Sequence, residues 1–271
     1  MNTELKLYSR SKDDLWTDKW ISKNMLSAHL DFSNDAASRN IKVIQKTVTW
    51  ICSVIKNKSS ILDLGCGPGI YAEEFAKQKY SVVGIDISKR SINYARKSAR
   101  NKKLNITYLN QSYLTDEIKG MYDNIVCIYC DFGALIPVEQ KILLKKIQSV
   151  LKDDGYFIFD VFSNGLSSTK KEGRKWTFYN DSNFFSKRSH FVMEETVHFK
   201  EKNVWGTRNI VINKNSKSIK EYITWDTYYT KESISKLLED NGFKVEEIRN
   251  DIVEANSFTS NDVMFIKAKK I

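Results

Sequence analysis

The chain has no long uncharged apolar run, which argues against a membrane-spanning helix. It does not open on a charged-then-apolar leader either, since Met1 to Trp20 alternate charge with isolated apolar side chains. The expectation is a soluble, cytoplasmic protein without a membrane partner. Cysteine is sparse: Cys52, Cys66, Cys127 and Cys130 are dispersed through apolar segments and read as reduced core thiols, not as a disulfide frame. Histidine is sparser, and His29, His190 and His198 form no pair at a helical metal-ligand spacing, so no metal site is expected. Cys127-x-x-Cys130 has no second pair, and residues three apart on a strand face opposite sides, so it reads as packing. No arginine-rich stretch stands out, nor any basic run with interleaved aromatics. The formal charge of +10 therefore rests mostly on lysines spread over helix faces in a chain with only two prolines. Compositional drift toward Lys and Asn gives the same balance, so nucleic acid is the less favoured partner.

At 271 residues the chain suits one globular domain with an elaboration. Its most telling run is Ile61-Leu62-Asp63-Leu64-Gly65-Cys66-Gly67-Pro68-Gly69, answered by Gly84-Ile85-Asp86. An apolar strand enters a glycine-rich turn, and a second strand ends about twenty residues later on a carboxylate, the arrangement that holds a nucleotide-like cofactor against bare backbone. A dinucleotide fingerprint spaces its glycines G-x-G-x-x-G, whereas here they fall at 65, 67 and 69 with Ile70 next.

Around this run, strands and helices alternate. Apolar spacing predicts an amphipathic helix within 12–30 that carries Trp16 and Trp20, then a helix striped by Ile41, Ile44, Val48, Ile51 and Ile55, with Asp35 as its cap. Strands are expected at 60–65, 81–86, 105–110, 122–129 and 155–162, with helices at 69–79, 88–102 and 137–152 between them, which implies a parallel sheet. After Phe162 the composition turns aromatic, and 189–229 read as three antiparallel strands. A helix from Thr230 to Asp240 and strands at 243–250 and 261–269 complete the chain.

The pattern D-x-G-x-G-x-G at Asp63 to Gly69 resembles the first motif of class I S-adenosylmethionine-dependent methyltransferases. The resemblance extends over 36–162 and 230–271 as a pattern, and only the first two motifs are specific. It implies an α/β fold: a Rossmann-like seven-stranded sheet with helices on both faces, its last strand antiparallel between the fifth and sixth. The expected division is an N-terminal helical cap (1–40), a cofactor-binding core (41–162), an antiparallel β insertion (163–229) and a C-terminal helix with two strands (230–271). The insertion could be a substrate lid or a dimer contact, which leaves monomer and homodimer both open.

The resemblance also implies roles. Gly65, Cys66, Gly67 and Gly69 would wrap the methionine part of S-adenosylmethionine, with Asp63 near its amino group. Asp86 sits where a carboxylate can accept both ribose hydroxyls, with capping of the next helix as the alternative, and Ile87 would lie by the adenine. Relatives often carry an acid after the third strand; here Asn110-Gln111-Ser112-Tyr113-Leu114 lacks it, and Gln111 or Ser112 could accept the adenine amino group or simply form a turn. Arg39 stands where relatives sometimes bind the cofactor carboxylate. The loop Tyr129-Cys130-Asp131 after the fourth strand should face the transferred methyl, with Asp131 as general base or acceptor-orienting group, or as a turn cap with Gly133. His190 is a second candidate base. An Asn- or Asp-Pro-Pro-Tyr motif and a Pro-Cys nucleophile are both absent, which argues against bases as acceptors. The expected activity is methyl transfer to a small molecule. An RNA or protein methyltransferase using the basic surface, and a non-catalytic regulatory module binding S-adenosylmethionine or its demethylated product, are the alternatives.

Overall fold

The computed structural model describes residues 4–33, 36–214, 218–253 and 262–271. In chain order its elements are α1 (Ile21–His29), α2 (Ile41–Val54), β1 (Ser60–Leu64), α3 (Ile70–Lys77), β2 (Ser81–Asp86), α4 (Lys89–Asn101), β3 (Ile106–Asn110), β4 (Tyr122–Cys127), α5 (Asp131–Ala134), α6 (Pro137–Val150) and β5 (Leu151–Ser163). There follow α7 (Leu166–Thr169), β6 (Gly173–Tyr179), β7 (His190–Phe199), β8 (Val204–Asn213), β9 (Ile219–Tyr229), α8 (Lys231–Glu239), β10 (Phe243–Arg249) and β11 (Val263–Lys270).

The first five strands are parallel in the order β3-β2-β1-β4-β5. Antiparallel β11 lies between β5 and β10, giving the expected seven-stranded core. Alternation along the strands sends Ile61, Val126 and Ile158 to one apolar layer with α2, α3 and α4 residues, and Leu62, Ile125 and Phe157 to the other with α6 and α8. Cys127 and Cys130 fall in opposite layers, and all four cysteines are free thiols. The active edge of such a sheet is set by its chemistry: every β-α turn at the carboxyl ends exposes backbone N–H groups on one side of the molecule.

Three expectations need correction. The N-terminal helix is confined to Ile21–His29, because Asp14 and Asp18 turn their carboxylates onto the backbone N–H groups of Trp16, Thr17, Trp20 and Ile21. Such local bonds compete with a helix ladder, so Trp16 lies outside the helix and Trp20 at its border. The described residues ahead of α1 form no further helix or strand, and Leu5 among them packs against Val204 and Trp225 of the insertion. Second, α2 is capped by Asn40, whose side chain accepts from Val43 N; Asp35 lies outside the described residues. Third, the described residues of the insertion form four strands, not three. β6 (GRKWTFY) pairs with β7 but is exposed along nearly its whole length, so it lacks the period-two apolar signal that reveals a half-buried strand.

The insertion is hydrogen-bonded to the core. β9 pairs with the end of β5 through Phe162 with Tyr228 and Ser163 with Tyr229, so β6–β9 continue the core sheet. α1 bridges the two parts: Ile21 packs on Val192, Val211 and Tyr222 of the insertion, and its last residue, His29, reaches the turn after β1.

Candidate functional site

The turn between β1 and α3 is pinned from β2. Gly65 N and Cys66 N both donate to Ile85 O, at 2.9 and 3.0 Å, and Gly67 N donates to Asp86 Oδ2 at 2.8 Å. The other oxygen of Asp86 accepts from Ser88 N at 2.6 Å, and Ser88 caps α4. Asp86 thus ties the glycine turn to the second strand while each of its oxygens keeps a lone pair for a further donor.

The three glycines have left-handed φ but different neighbours. A Cβ on Gly69 would meet Tyr108 Oη at 2.2 Å, so this glycine lets helix and sheet pack closely. Gly65 and Gly67 instead face functional side chains: a Cβ on Gly65 would lie 2.7 Å from Asp131 Oδ2, and one on Gly67 3.6 Å from the His29 ring. The candidate cleft, at the carboxyl ends of β1, β2 and β4, is thus bordered by Gly65 and Gly67 with the side chains of Asp131 and His29. Cys66 turns its side chain into the core against Gly84 and offers the cleft only backbone.

Four carboxylates converge at the strand ends. Asp63 is buried, and its Oδ2 has no hydrogen-bond partner. Burial, then the charges of Asp86 and Asp131, push its pKa up to about 8. Asp131, at the start of α5, accepts from Tyr113 Oη at 2.6 Å. Its pKa is pushed up to about 6, by burial first and by Asp86 and Asp160, against the lowering effect of Tyr113. Asp86 is likewise raised by burial. Asp160, wholly buried, is balanced by Arg39.

Arg39 is 1% exposed and ion-paired to Asp160 through Nη2, while its Nε and Nη1 are buried without a hydrogen-bond partner. Burial opposes its charge, but Asp160, Tyr71 and Cys130 outweigh that and hold it protonated. The guanidinium lies 5.2 Å from the ring centroids of both Tyr129 and Phe265. Asp160 Oδ1 also accepts from Tyr129 N and Cys130 N, at 2.7 and 3.1 Å. Those two residues have φ of +82° and +59°, a conformation that side chains other than glycine disfavour and that Asp160 holds in place.

The remaining candidates divide. Ile87 is 41% exposed at the rim. Ser112 Oγ accepts from Leu114 N and Thr115 N, so it serves the turn, and the Gln111 amide donates to Glu117 O. His190 is not brought to the glycine turn. It pairs with Asn213, nine residues along β8 from Val204, the β8 end that pairs with Thr227 of β9, beside the β5 junction. That is about 30 Å of strand, and its ring is stacked on Tyr179 with Nδ1 on Arg188 O. His29 takes its place at the cleft, with Nδ1 2.8 Å from Ser38 Oγ and a pKa lowered by burial to about 4, hence neutral. Sequence reasoning missed Tyr113, Tyr71 and Asp160 as site residues and did not single out His29 from the three histidines. No motif marks them, since each reaches the cleft through an irregular segment or from the interior of an ordinary apolar element.

The donor set has a definite charge logic. Unpartnered Arg39 nitrogens suit a carboxylate, and Asp63 with Asp131 flank Gly65 as a receptor for a cation. The methionine end of S-adenosylmethionine carries a carboxylate, an ammonium and a sulfonium, and fits these residues.

Known proteins resemble the chain in sequence over part of the core and in fold over most of its length. Residues 61–155 match a family model described as methyltransferase domain. A Geobacillus sp. (strain WCH70) protein named as a methyltransferase is 32% identical over 105 residues, 38% of this chain and 42% of its own. A ubiquinone biosynthesis O-methyltransferase of Acinetobacter baylyi is 31% identical over 111 residues, 40% of this chain and 45% of its own. The chain spans about half the length of the curated relatives it matches. Among solved structures, an S-adenosylmethionine-dependent methyltransferase from Clostridium acetobutylicum superposes with a TM-score of 0.66 at 19% identity, covering 90% of this chain and 97% of that one. The fold is that of the class I methyltransferases.

Proposed function

From a chain with the class I S-adenosylmethionine-dependent methyltransferase fold and a methyltransferase domain at 61–155, we propose that it transfers a methyl group from S-adenosylmethionine to a small polar molecule. The observation that carries the reading is a set of buried groups with unmet charge at the strand ends: Asp63, whose Oδ2 has no hydrogen-bond partner, Asp131 against Gly65, and Arg39, whose Nε and Nη1 are left over from its pair with Asp160. Arg39 would take the cofactor carboxylate, Asp63 and Asp131 its ammonium, Asp86 the ribose hydroxyls, and Ile87 the adenine face. Gln111 remains the candidate for the adenine edge. Asp131 acts on this reading from the cofactor side, positioned by Tyr113, and His190 has no part in it.

Bound there, S-adenosylmethionine supplies a methyl already activated on sulfur. The chain then has to align an acceptor behind that methyl and keep water out. α1 and the insertion supply the walls. On β8, Trp205 and Asn209 share the face that carries Val211, which packs on Ile21 of α1. Trp205 Nε1 and Asn209 Oδ1 are buried with no hydrogen-bond partner, and such groups favour an acceptor that can satisfy them. A relative named for ubiquinone biosynthesis supports a small acceptor.

Isothermal calorimetry with S-adenosylmethionine and S-adenosylhomocysteine tests the cofactor. Absence of heat with either at near-millimolar ligand would end the proposal.

A further inference from the structure

A hollow of about 580 Å³ lies between α4 and the segment leading into α1, lined by Trp16, Lys19, Ile87, Arg90, Tyr94 and Lys97 among others, with no carboxylate in its wall. It takes in Ile87, the residue proposed for the adenine face, and runs along α4 from Ser88 through Arg90 and Tyr94 to Lys97. A second hollow of about 560 Å³ adjoins it through Asn93 and Lys97 and adds Arg96 and Arg100.

The charge along this wall is of one sign. α4 (KRSINYARKSARN) holds five cations and no acid. Some lysines elsewhere meet carboxylates, as Lys102 does on Glu73 and Lys152 on Asp123. Among the described residues no ion pair forms to Lys89, Arg90, Arg96, Lys97 or Arg100. Arg96 donates to Tyr108 O at 2.7 Å and Arg90 to Lys19 O at 3.3 Å, bonds that fix the guanidinium groups without neutralising them. Trp16 and Tyr94, at 45% and 36% exposure, present aromatic surface in the same hollow.

Fixed cations beside bare aromatic surface match a phosphate joined to a flat base, and the volume falls in the small-ligand range of about 300–1,000 Å³. We propose that this hollow, beyond Ile87 at its edge, is a nucleotide site that adjoins the methyl-donor site and can be filled together with it, with the base on Trp16 and Tyr94 and the phosphates on the cations of α4. The nucleotide is either free or part of a single strand, whose next phosphates would reach Arg96 and Arg100.

The test uses the full chain saturated with S-adenosylhomocysteine, so that the donor cleft is filled, and titrates ADP, UDP and a labelled twelve-residue oligouridylate at 50 mM salt. Binding of at least one probe is expected, weakened about tenfold or more by Lys97→Glu and by Trp16→Ala, with S-adenosylhomocysteine affinity unchanged in both variants. Base stacking of 1–3 kcal/mol corresponds to roughly 5- to 150-fold. If the strand is the ligand, Arg100→Glu also weakens it and lowers the slope of log K against log salt by about 0.7. If a free nucleotide is the ligand, Arg100→Glu leaves it unchanged. No binding by any probe, displacement of the probe by excess S-adenosylhomocysteine, or equal binding of inorganic pyrophosphate regardless of Trp16→Ala would overturn the proposal. These readings do not depend on methyl transfer, so their failure leaves the proposed activity standing.

Discussion

Arg39 and Asp160, 121 residues apart in sequence, form a wholly buried ion pair that leaves two of the three guanidinium nitrogens without a hydrogen-bond partner. Asp160 cannot supply those bonds, because its other oxygen is occupied by the N–H groups of Tyr129 and Cys130. Removing the cation should therefore be costly, since it strands a buried carboxylate: Arg39→Met is expected to lose about 3–5 kcal/mol of stability by denaturant titration. Arg39→Lys keeps the charge but loses the planar fork. It should weaken S-adenosylmethionine and S-adenosylhomocysteine alike, by roughly 10- to 100-fold in calorimetry, because both carry the same carboxylate.

Asp63 and Asp131 make stability depend on pH in a definite direction. Both titrate higher in the fold, at about 8 and about 6, than the unfolded value near 3.9. Folding thus favours their protonated forms, and the stability this supplies is complete below pH ~4 and is lost as pH rises through 6 and then 8. Melting temperatures of the unliganded protein should fall between pH 5 and 8.5. Asp63→Asn should flatten the upper part of that fall, and S-adenosylmethionine should bind more tightly as pH rises over the same range. A melting profile that does not fall across this interval would contradict the buried cluster.

Tyr113 lowers the pKa of Asp131 through its 2.6 Å hydrogen bond. Tyr113→Phe should raise that pKa, so the acid limb of S-adenosylmethionine binding shifts to higher pH while affinity at pH 9 is nearly restored. A residue with only a packing role would weaken binding equally at every pH.

The glycines of the turn should separate by readout. Gly69→Ala sets a Cβ against the Tyr108 ring and hydroxyl, at a φ of +83°. It is expected to cost about 2–4 kcal/mol by denaturant titration, combining overpacking with backbone strain, and Tyr108→Phe should recover part of it. Gly67→Ala meets only ordinary contact with His29, so its cost in stability is about 1–2 kcal/mol. Its main effect should fall on cofactor affinity, which calorimetry separates from folding.

The core was legible because its signals are local and periodic. β2 occupies the expected 81–86, Ser88 caps α4, and Asp86 reaches the glycine turn from the strand end where its spacing put it. The N-terminal segment was not, because side-chain bonds from Asp14 and Asp18 override a helical apolar spacing. β6 was missed because an exposed edge strand needs no alternation. Arg39 and Asp131 could be named from motif position, but the partners that define them, Asp160 and Tyr113, lie on other elements. The basic charge was legible, but its meeting with Trp16 was not: Trp16 and the cations of α4 are more than seventy residues apart in sequence and come together where α1 packs on α4.

The backbone bonds between β9 and β5 bear on how the acceptor preference of such a protein could change. A segment joined to a core by two flexible crossings can be exchanged whole, like a cassette. Here excision of 163–229 would also strip hydrogen bonds from the end of the strand that carries Asp160, and so loosen the clamp on Arg39. On the proposed reading, the wall of the acceptor pocket and the grip on the methyl donor would share one strand. New specificity is therefore more accessible by altering side chains on β7–β9 than by grafting a different insertion, and a chimera that replaced it would be expected to show its first defect in cofactor binding.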